Sequence, residues 1–325
     1  MNSDPLWRRT PANIWQGRDD SLESPRALRV FQTITQKSTF DFSHRPTEEM
    51  TNQIALLGFM CDDGVRLNKG RMGARNAPNA IRSALANLAS HPAQYHLTDF
   101  GNIECLPDQL DIAQQSLTQH IKACHQHQFK TLVLGGGHET AFAHGLGLYE
   151  AYPDAKIGII NFDAHLDLRT APSGTSGTPF KQLADYCEHT QRPFEYMCVG
   201  VSLAANTQTL LDTANALNVR MILDTDCYET NLVNIQTQIQ NFIDTVDIIY
   251  LTIDLDVLSP SHMFAVSAPA ALGLEMRTVL ALGTQIAHSP KLRALDLVEY
   301  NPEFDSDQLC AKVAARIAWQ LCQHW

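Results

Sequence analysis

A chain of 325 residues with 44% hydrophobic and 18% charged residues has the composition of a soluble globular protein, with room for one large α/β domain or two smaller ones. The formal net charge of −11 disfavours nucleic acid and anionic membranes as partners, and anionic small molecules too unless cations reverse the field locally. No run approaches the roughly 18 apolar residues of a membrane span, the N-terminus lacks the apolar core of a signal peptide, and the eight scattered cysteines contain no C-x-x-C pair. These features point to a reduced, cytoplasmic location.

Residues 1–50 are polar and Pro-containing, which predicts an arm or surface helices. Within them Trp15-Gln16-Gly17-Arg18-Asp19-Asp20 is expected to pack on the body of the protein or on a neighbouring subunit. From residue 53, strand-like runs at 53–59, 95–101, 130–134, 156–162, 194–200, 218–223, 247–254 and 293–299 alternate with helix-like stretches. The helical stretches are 76–89, 108–127, 139–151, 180–189, 204–216, 275–288 and 306–323. The 247–254 run is apolar without alternation, as befits a strand covered on both faces. Repeated β-then-α predicts a three-layer α/β/α fold with a mostly parallel sheet of about eight strands. No linker or repeat interrupts it, so residues 51–325 are expected to form one catalytic domain.

In such sheets, sites form beyond the carboxyl ends of the strands, and three polar clusters fall there. After Thr131-Leu132-Val133-Leu134 comes Gly135-Gly136-Gly137-His138-Glu139. The glycines permit a tight turn, and a helix N-terminus would keep His138 a neutral ligand. A phosphate cradle is the alternative, but no G-x-G-x-x-G or G-K-[ST] pattern is present. After Lys156-Ile157-Gly158-Ile159-Ile160 comes Asn161-Phe162-Asp163-Ala164-His165-Leu166-Asp167-Leu168-Arg169. Extended geometry would turn Asp163, His165 and Asp167 to one face, as a cation site or a solvated strand exit. The third cluster is Asp254-Leu255-Asp256, which alone would read equally well as a solvated loop.

Together these clusters supply four Asp and two His. Burying that many carboxylates unpaired is costly, and an oxygen-rich set with some imidazole and no thiolate suits Mn²⁺. Six ligands are too many for one ion with an open position but suit two. A pair of ions can hold a bridging hydroxide and polarise an electrophile, which favours hydrolysis.

Gly-Gly-Gly-His-Glu, Asp-Ala-His-x-Asp and x-Asp-x-Asp-x-x-x-Pro, with the Asn68–Arg75 and Pro78–Arg82 segments, resemble the signature regions of the arginase–agmatinase ureohydrolases from about residue 53 onward. The resemblance implies two manganese ions per subunit. One would be held by His138, Asp163, Asp167 and Asp254, the other by Asp163, His165, Asp254 and Asp256. It also implies that Glu299 receives the cationic end of the substrate, and that the chain is a homo-oligomer.

Several departures from that family narrow the substrate. Arg169 stands where arginases carry a small polar residue, and a guanidinium there suits bidentate capture of a carboxylate. No His occurs between His165 and His189, so the family's usual proton-relaying imidazole is missing. Ser259 replaces an Asp before Pro260, and Val266–Leu274 differs from the loop of arginases. With Ser176-Gly177-Thr178-Pro179-Phe180 and Trp15-x-Gly-Arg-x-Asp, these features look like the branch that hydrolyses N-formimidoyl-L-glutamate to glutamate and formamide in histidine degradation. The hydroxide would attack the amidine carbon, Asp167 would relay the proton, and Arg169, Glu299, Ser176 and Thr178 would contact substrate. Arg71 and Arg75 would add positive charge or, by preference, pair within the fold. A guanidino-acid ureohydrolase or agmatinase releasing urea is the alternative, and an inactive metal-binding regulatory homologue is a third. His120, Cys124, His125 and His127 suggest a zinc patch or, by preference, a solvated helix face.

Overall fold

A computed structural model of the chain describes residues 4–42, 52–91 and 95–325. The strands are β1 (Trp7–Arg8), β2 (Thr35–Gln36), β3 (Asn52–Met60), β4 (Tyr95–Glu104), β5 (Lys130–Leu134), β6 (Ile157–Phe162), β7 (Glu195–Val201), β8 (Arg220–Leu223), β9 (Ile248–Asp254) and β10 (Leu292–Val298). They form one sheet in the order β1-β4-β3-β5-β10-β9-β6-β7-β8, with β2 beside β4. Among the strands of the described residues, only the β1–β4 pairing is antiparallel. The eight long strands are the eight runs expected from sequence. The two additional ones come from the N-terminal arm, whose short pairings cover the otherwise exposed edge of β4.

Side-chain alternation on the strands divides the core between two helical layers. Leu56, Leu132, Ile160, Leu251 and Leu295 pack with helices Ala77–Ala86, Leu232–Asp244, Met276–Ala287 and Leu309–His324. On the other face, Leu57 and Val133 meet helix Leu110–Gln126, while Ile157, Ile159 and Tyr250 meet helices Thr140–Ala151, Pro179–His189 and Gln208–Ala216. Helix Leu232–Asp244 falls outside the sequence expectations. Its Asn, Gln and Thr residues mask a narrow stripe of Ile235, Ile239, Phe242 and Ile243 that carries all its burial. No helix among the described residues is long and apolar enough to cross a membrane.

The arm is bound to the body through Trp15, which is buried and donates from Nε1 to Asp99 Oδ2 at 2.6 Å. The expected division between residues 50 and 51 lies outside the described residues. Asp99 Oδ1 in turn accepts from Arg82 Nη2 at 3.0 Å, and Arg82 also donates to Asn102 Oδ1 at 2.7 Å and to Gly101 O at 2.9 Å.

Four neighbouring strands at the centre, β5, β10, β9 and β6, end at nearly the same height. Leu134 pairs with Leu297, Val298 with Asp254, and Ile253 with Phe162. Since β5 and β6 are consecutive in sequence but separated by two strands in space, their exits diverge and leave a crevice between them.

Arg82 and Asp99 are both buried. Replacing Arg82 with Ala should lower stability by about 3–5 kcal/mol by leaving Asp99 uncompensated. Urea denaturation measures this, and a loss below about 1 kcal/mol would show the pair to be dispensable.

Candidate metal centre

The Gly-rich turn after β5 is shaped by close backbone packing. A Cβ on Gly136 would lie 1.6 Å from Cys61 O, so only glycine fits against the end of β3. Gly136 O accepts from Glu299 N at 2.8 Å, tying the turn to the exit of β10. His138 is thereby aimed across the crevice. Its Nδ1 lies 3.2 Å from Asp163 Oδ2, 2.9 Å from Asp167 Oδ2 and 3.1 Å from Asp254 Oδ2. Nε2 lies 3.1 Å from Thr252 Oγ1, and the tautomer that donates there leaves the Nδ1 lone pair facing the carboxylates.

The exits of β6 and β9 share one local device. Asp163 Oδ1 accepts from His165 N at 2.7 Å, and Asp254 Oδ1 accepts from Asp256 N at 2.8 Å. Each first aspartate folds its loop back on itself, leaving Oδ2 to face the crevice. This corrects the expectation of an extended Asp163–Asp167 segment. The strand stops at Phe162, and Asp167 has φ of +49°, so the three side chains converge through a turn rather than through strand alternation.

Two groups of ligand-type atoms result, each with its atoms within 4.8 Å of one another: His138, Asp163, Asp167 and Asp254, then Asp163, His165 and Asp256. His165 Nδ1 lies 3.4 Å from Asp163 Oδ1 and 3.2 Å from Asp256 Oδ2. Only Asp163 belongs to both groups. Asp254, expected in both, joins the first alone.

Electrostatics show how heavily the groups depend on one another. Burial disfavours an imidazolium at His138, yet the carboxylates of Asp163, Asp167 and Asp254 facing its Nδ1 raise it well above its ordinary value, the opposite direction to that expected from the nearby helix. That helix begins only at Thr140. Asp256 raises His165. Burial, then Asp256 and Asp163, push Asp254 well up, and burial lifts Asp256 to about 6. Burial opposes charge on Asp163 as well, but His138 and His165 hold it below the usual carboxylate range.

The donor set fits a divalent cation. It consists of carboxylate oxygens and imidazole nitrogens, His138 Nδ1 is buried without a hydrogen bond of acceptable geometry, and the nearby Cys198 thiol faces the carbonyls of Asp163 and His165.

A cavity of about 160 Å³ opens over these groups. Its floor is acidic, with Asp167, Asp254, Asp256 and Glu299. Glu299, with φ of +68°, accepts from His138 N through Oε1 at 2.8 Å, while its buried Oε2 has no hydrogen-bond partner. Burial and then Asp254 push its carboxyl well above the usual range. The rim carries Arg169, Ser176, Asn68 and Ser267. Among the described residues no ion pair holds the Arg169 side chain, whose backbone N donates to Gly177 O at 3.0 Å.

Some expectations fail here. Thr178 does not line the cavity; its hydroxyl accepts from Thr175 N at 2.8 Å and sits 2.8 Å from Gln182 Oε1, shaping the turn before helix Pro179–His189. His120, Cys124 and His125 are neither solvated nor grouped for a metal, but buried: His120 Nδ1 contacts Ser116 O, and His125 Nε2 contacts Thr131 Oγ1. His127 stacks on Phe42. Arg71 and Arg75 bind backbone carbonyls, at Val266 and Ser267 and at Cys105 respectively, as the preferred expectation had it. Sequence reasoning missed Asn68 and Ser267 as cavity residues. Both sit on irregular loops far apart in the chain, and only their polarity could have drawn notice.

A family model described as the arginase family matches residues 52–323. The chain is 53% identical over 320 residues to the formimidoylglutamase of Photorhabdus laumondii, covering 98% of this chain and 99% of that protein. It is 52% identical over 319 residues to the formimidoylglutamase of Citrobacter koseri, with the same coverage. Among solved structures, formimidoylglutamase from Bacillus subtilis superposes with a TM-score of 0.80 at 22% identity, over 95% of this chain and 94% of that one. Trypanosoma cruzi formiminoglutamase with Mn²⁺ superposes with a TM-score of 0.76 at 23% identity, over 88% and 96%. At such identities these superpositions show the shared fold.

The position of Asp163 in both groups yields a test. In Mn²⁺ titrations, Asp163→Asn should weaken both binding events more than about ten-fold, and His165→Ala only one of them. Unaltered binding by Asp163→Asn would dissociate these groups from any metal.

Proposed function

The chain belongs to the arginase family, and on that premise we propose that it hydrolyses N-formimidoyl-L-glutamate to L-glutamate and formamide, in histidine degradation in the cytoplasm. The observation that carries this is the mixed lining of the cavity, where the buried carboxylates of Asp254, Asp256 and Glu299 stand with the exposed side chains of Asn68 and Arg169 and the hydroxyls of Ser176 and Ser267. The substrate has the matching polarity, a cationic amidine at one end and two carboxylates at the other. Identity of about half to named formimidoylglutamases over nearly the whole chain supports the same reading.

Two manganese ions, held by His138, Asp163, Asp167 and Asp254 and by Asp163, His165 and Asp256, would supply a water made nucleophilic at neutral pH and a Lewis acid for the amidine. The chain's own groups do the rest. Glu299 holds the amidinium with the oxygen that has no protein partner, and its left-handed backbone keeps that carboxylate aimed into the cavity. Arg169, which pairs with no carboxylate among the described residues, presents a fork to one carboxylate of the substrate. The floor alone would attract any cation, so the arginine makes the choice of partner.

Asp167 lies where the floor meets the opening, its side chain 12% exposed and its Oδ2 2.9 Å from His138 Nδ1. Burial and then the charge of Asp163 raise its affinity for a proton. A carboxylate so placed takes the proton released by the attacking water and delivers it to the departing glutamate nitrogen. In this assignment it replaces the imidazole that other family members place in the 166–188 segment, where this chain has no histidine.

Agmatine would bring a second cation to a rim that already holds Arg169. A guanidino acid, with one carboxylate, matches the rim better than agmatine does.

The manganese-loaded protein, offered formimidoylglutamate, arginine, agmatine and a guanidino acid in parallel, should form glutamate from the first and no urea from the others. Urea without glutamate would reverse the assignment. With metal retained, Asp167→Asn should lower kcat at least about 100-fold, and Glu299→Gln should lower kcat/KM by roughly the same factor. Wild-type kcat in metal-loaded Asp167→Asn would remove that residue from the proton path.

A further inference from the structure

One carboxylate of formimidoylglutamate finds Arg169. The other needs a second set of donors, and the rim contains two hydroxyls already oriented for that task. Ser267 Oγ accepts the backbone N–H of Arg71 at 2.9 Å. Ser176 Oγ accepts from Asn68 Nδ2 at 3.2 Å. A serine hydroxyl has one proton to donate, and among the described residues no acceptor takes the proton of either one. Both line the cavity. With an N–H occupying the acceptor side of each oxygen, the favoured rotors turn both protons away from those donors.

Ser267 is held in place with more bonds than a surface loop needs. Arg71 Nε donates to Ser267 O at 2.9 Å, and Arg71 Nη2 donates to Val266 O at 2.5 Å. The guanidinium lies 4.1 Å from the centre of the Phe304 ring. Asn301 Nδ2 donates to Arg71 O at 3.1 Å and to Met72 O at 2.8 Å. Asn301 follows Glu299 by two residues, and its own N donates to Ala265 O. Arg71 therefore joins three segments, one carrying Asn68, one carrying Ser267 and one carrying Glu299. It is exposed and touches neither group of metal-type ligands, so nothing in the core requires it. A Cβ on Gly70 would lie 2.4 Å from Ser267 Oγ, which fixes the approach of the two loops from the other side.

We propose that Ser267, clamped by Arg71, receives the second carboxylate of the substrate, and that Arg71 is a positioning residue which sets specificity for a dicarboxylate without touching it. Ser176 stands as the companion donor on the Asn68 side. The proposal rests on the substrate assignment above and adds the subsite that separates a dicarboxylate from a monocarboxylate.

The test uses the full manganese-loaded chain and three substrates: N-formimidoyl-L-glutamate, N-formimidoyl-4-aminobutyrate, which lacks the α-carboxylate, and N-formimidoyl-2-aminobutyrate, which lacks the side-chain carboxylate. Metal content and melting temperature are measured for each variant. Ser267→Ala and Arg71→Ala should raise KM for the dicarboxylate by roughly ten-fold or more, with a much smaller fall in kcat. That penalty should vanish with one of the two monocarboxylates, because the carboxylate that Ser267 serves is already gone. Arg71→Lys, which keeps the charge but cannot span two carbonyls, should fall between Arg71→Ala and the wild type. A KM within two-fold of wild type in both alanine variants, or an equal penalty with all three substrates, would overturn the subsite while leaving the activity in place. Absence of turnover by the wild-type chain would remove the substrate assignment and the subsite with it.

Discussion

Four aspartates and a glutamate are brought into one crevice from which water is largely excluded, and they cannot all be charged there without positive charge between them. The rest of the structure accommodates that constraint. Parallel strands β5, β10, β9 and β6 end on neighbouring rungs, so His138, Glu299, Asp254 and Asp163 are delivered together by sheet register rather than by long loops. Two imidazoles reach into the carboxylates, one per group. The side-chain-to-amide turns at Asp163 and Asp254 spend one oxygen of each carboxylate on the backbone and free the other for the centre of the crevice. Divalent cations bound among them would let these groups stay charged together.

Above that floor the cavity changes sign. Acceptors crowd the bottom and donors the rim, over a single small space, in a protein whose overall charge is −11. Arg169 and any bound cations would set the local field against the global one, as the proposed dicarboxylate requires. Two of the eight left-handed non-glycine residues among the described residues lie at the same place. Asp167 and Glu299 both have left-handed backbones, a conformation that non-glycine residues adopt at some cost, and both side chains face the cavity. Close packing maintains that strain: Glu299 N is bonded to Gly136 O, and the segment after it is held by Asn301.

Much of this was legible in the sequence. Strands covered on both faces read as unbroken apolar runs, so all eight long strands could be placed, and polar residues directly after them could be assigned to one end of the sheet. The spacing of Asp163, His165 and Asp167 was informative for the wrong local reason. Convergence comes from a turn closed by the Asp163 side chain and from a left-handed Asp167; Asp is common in both, but the spacing alone does not separate them from an extended strand. Short strands of the arm escaped notice because two residues carry no periodicity, and helix Leu232–Asp244 did so because its buried stripe is narrow. His120, Cys124 and His125 looked like a polar helix face; contacts from distant segments are what bury them. Asn68 and Ser267 are 199 positions apart and meet over the same cavity only through tertiary structure. Thr178 was misplaced for the opposite reason, since a hydroxyl near a site can be used up by its own turn.

The central claim is that the buried carboxylates and imidazoles are organised as two adjoining cation sites sharing Asp163. Anomalous diffraction at the manganese edge, on crystals of the manganese-loaded protein, addresses it directly. Two peaks are predicted, one bounded by His138, Asp163, Asp167 and Asp254, the other by Asp163, His165 and Asp256. A single peak, or peaks away from these side chains, would contradict it.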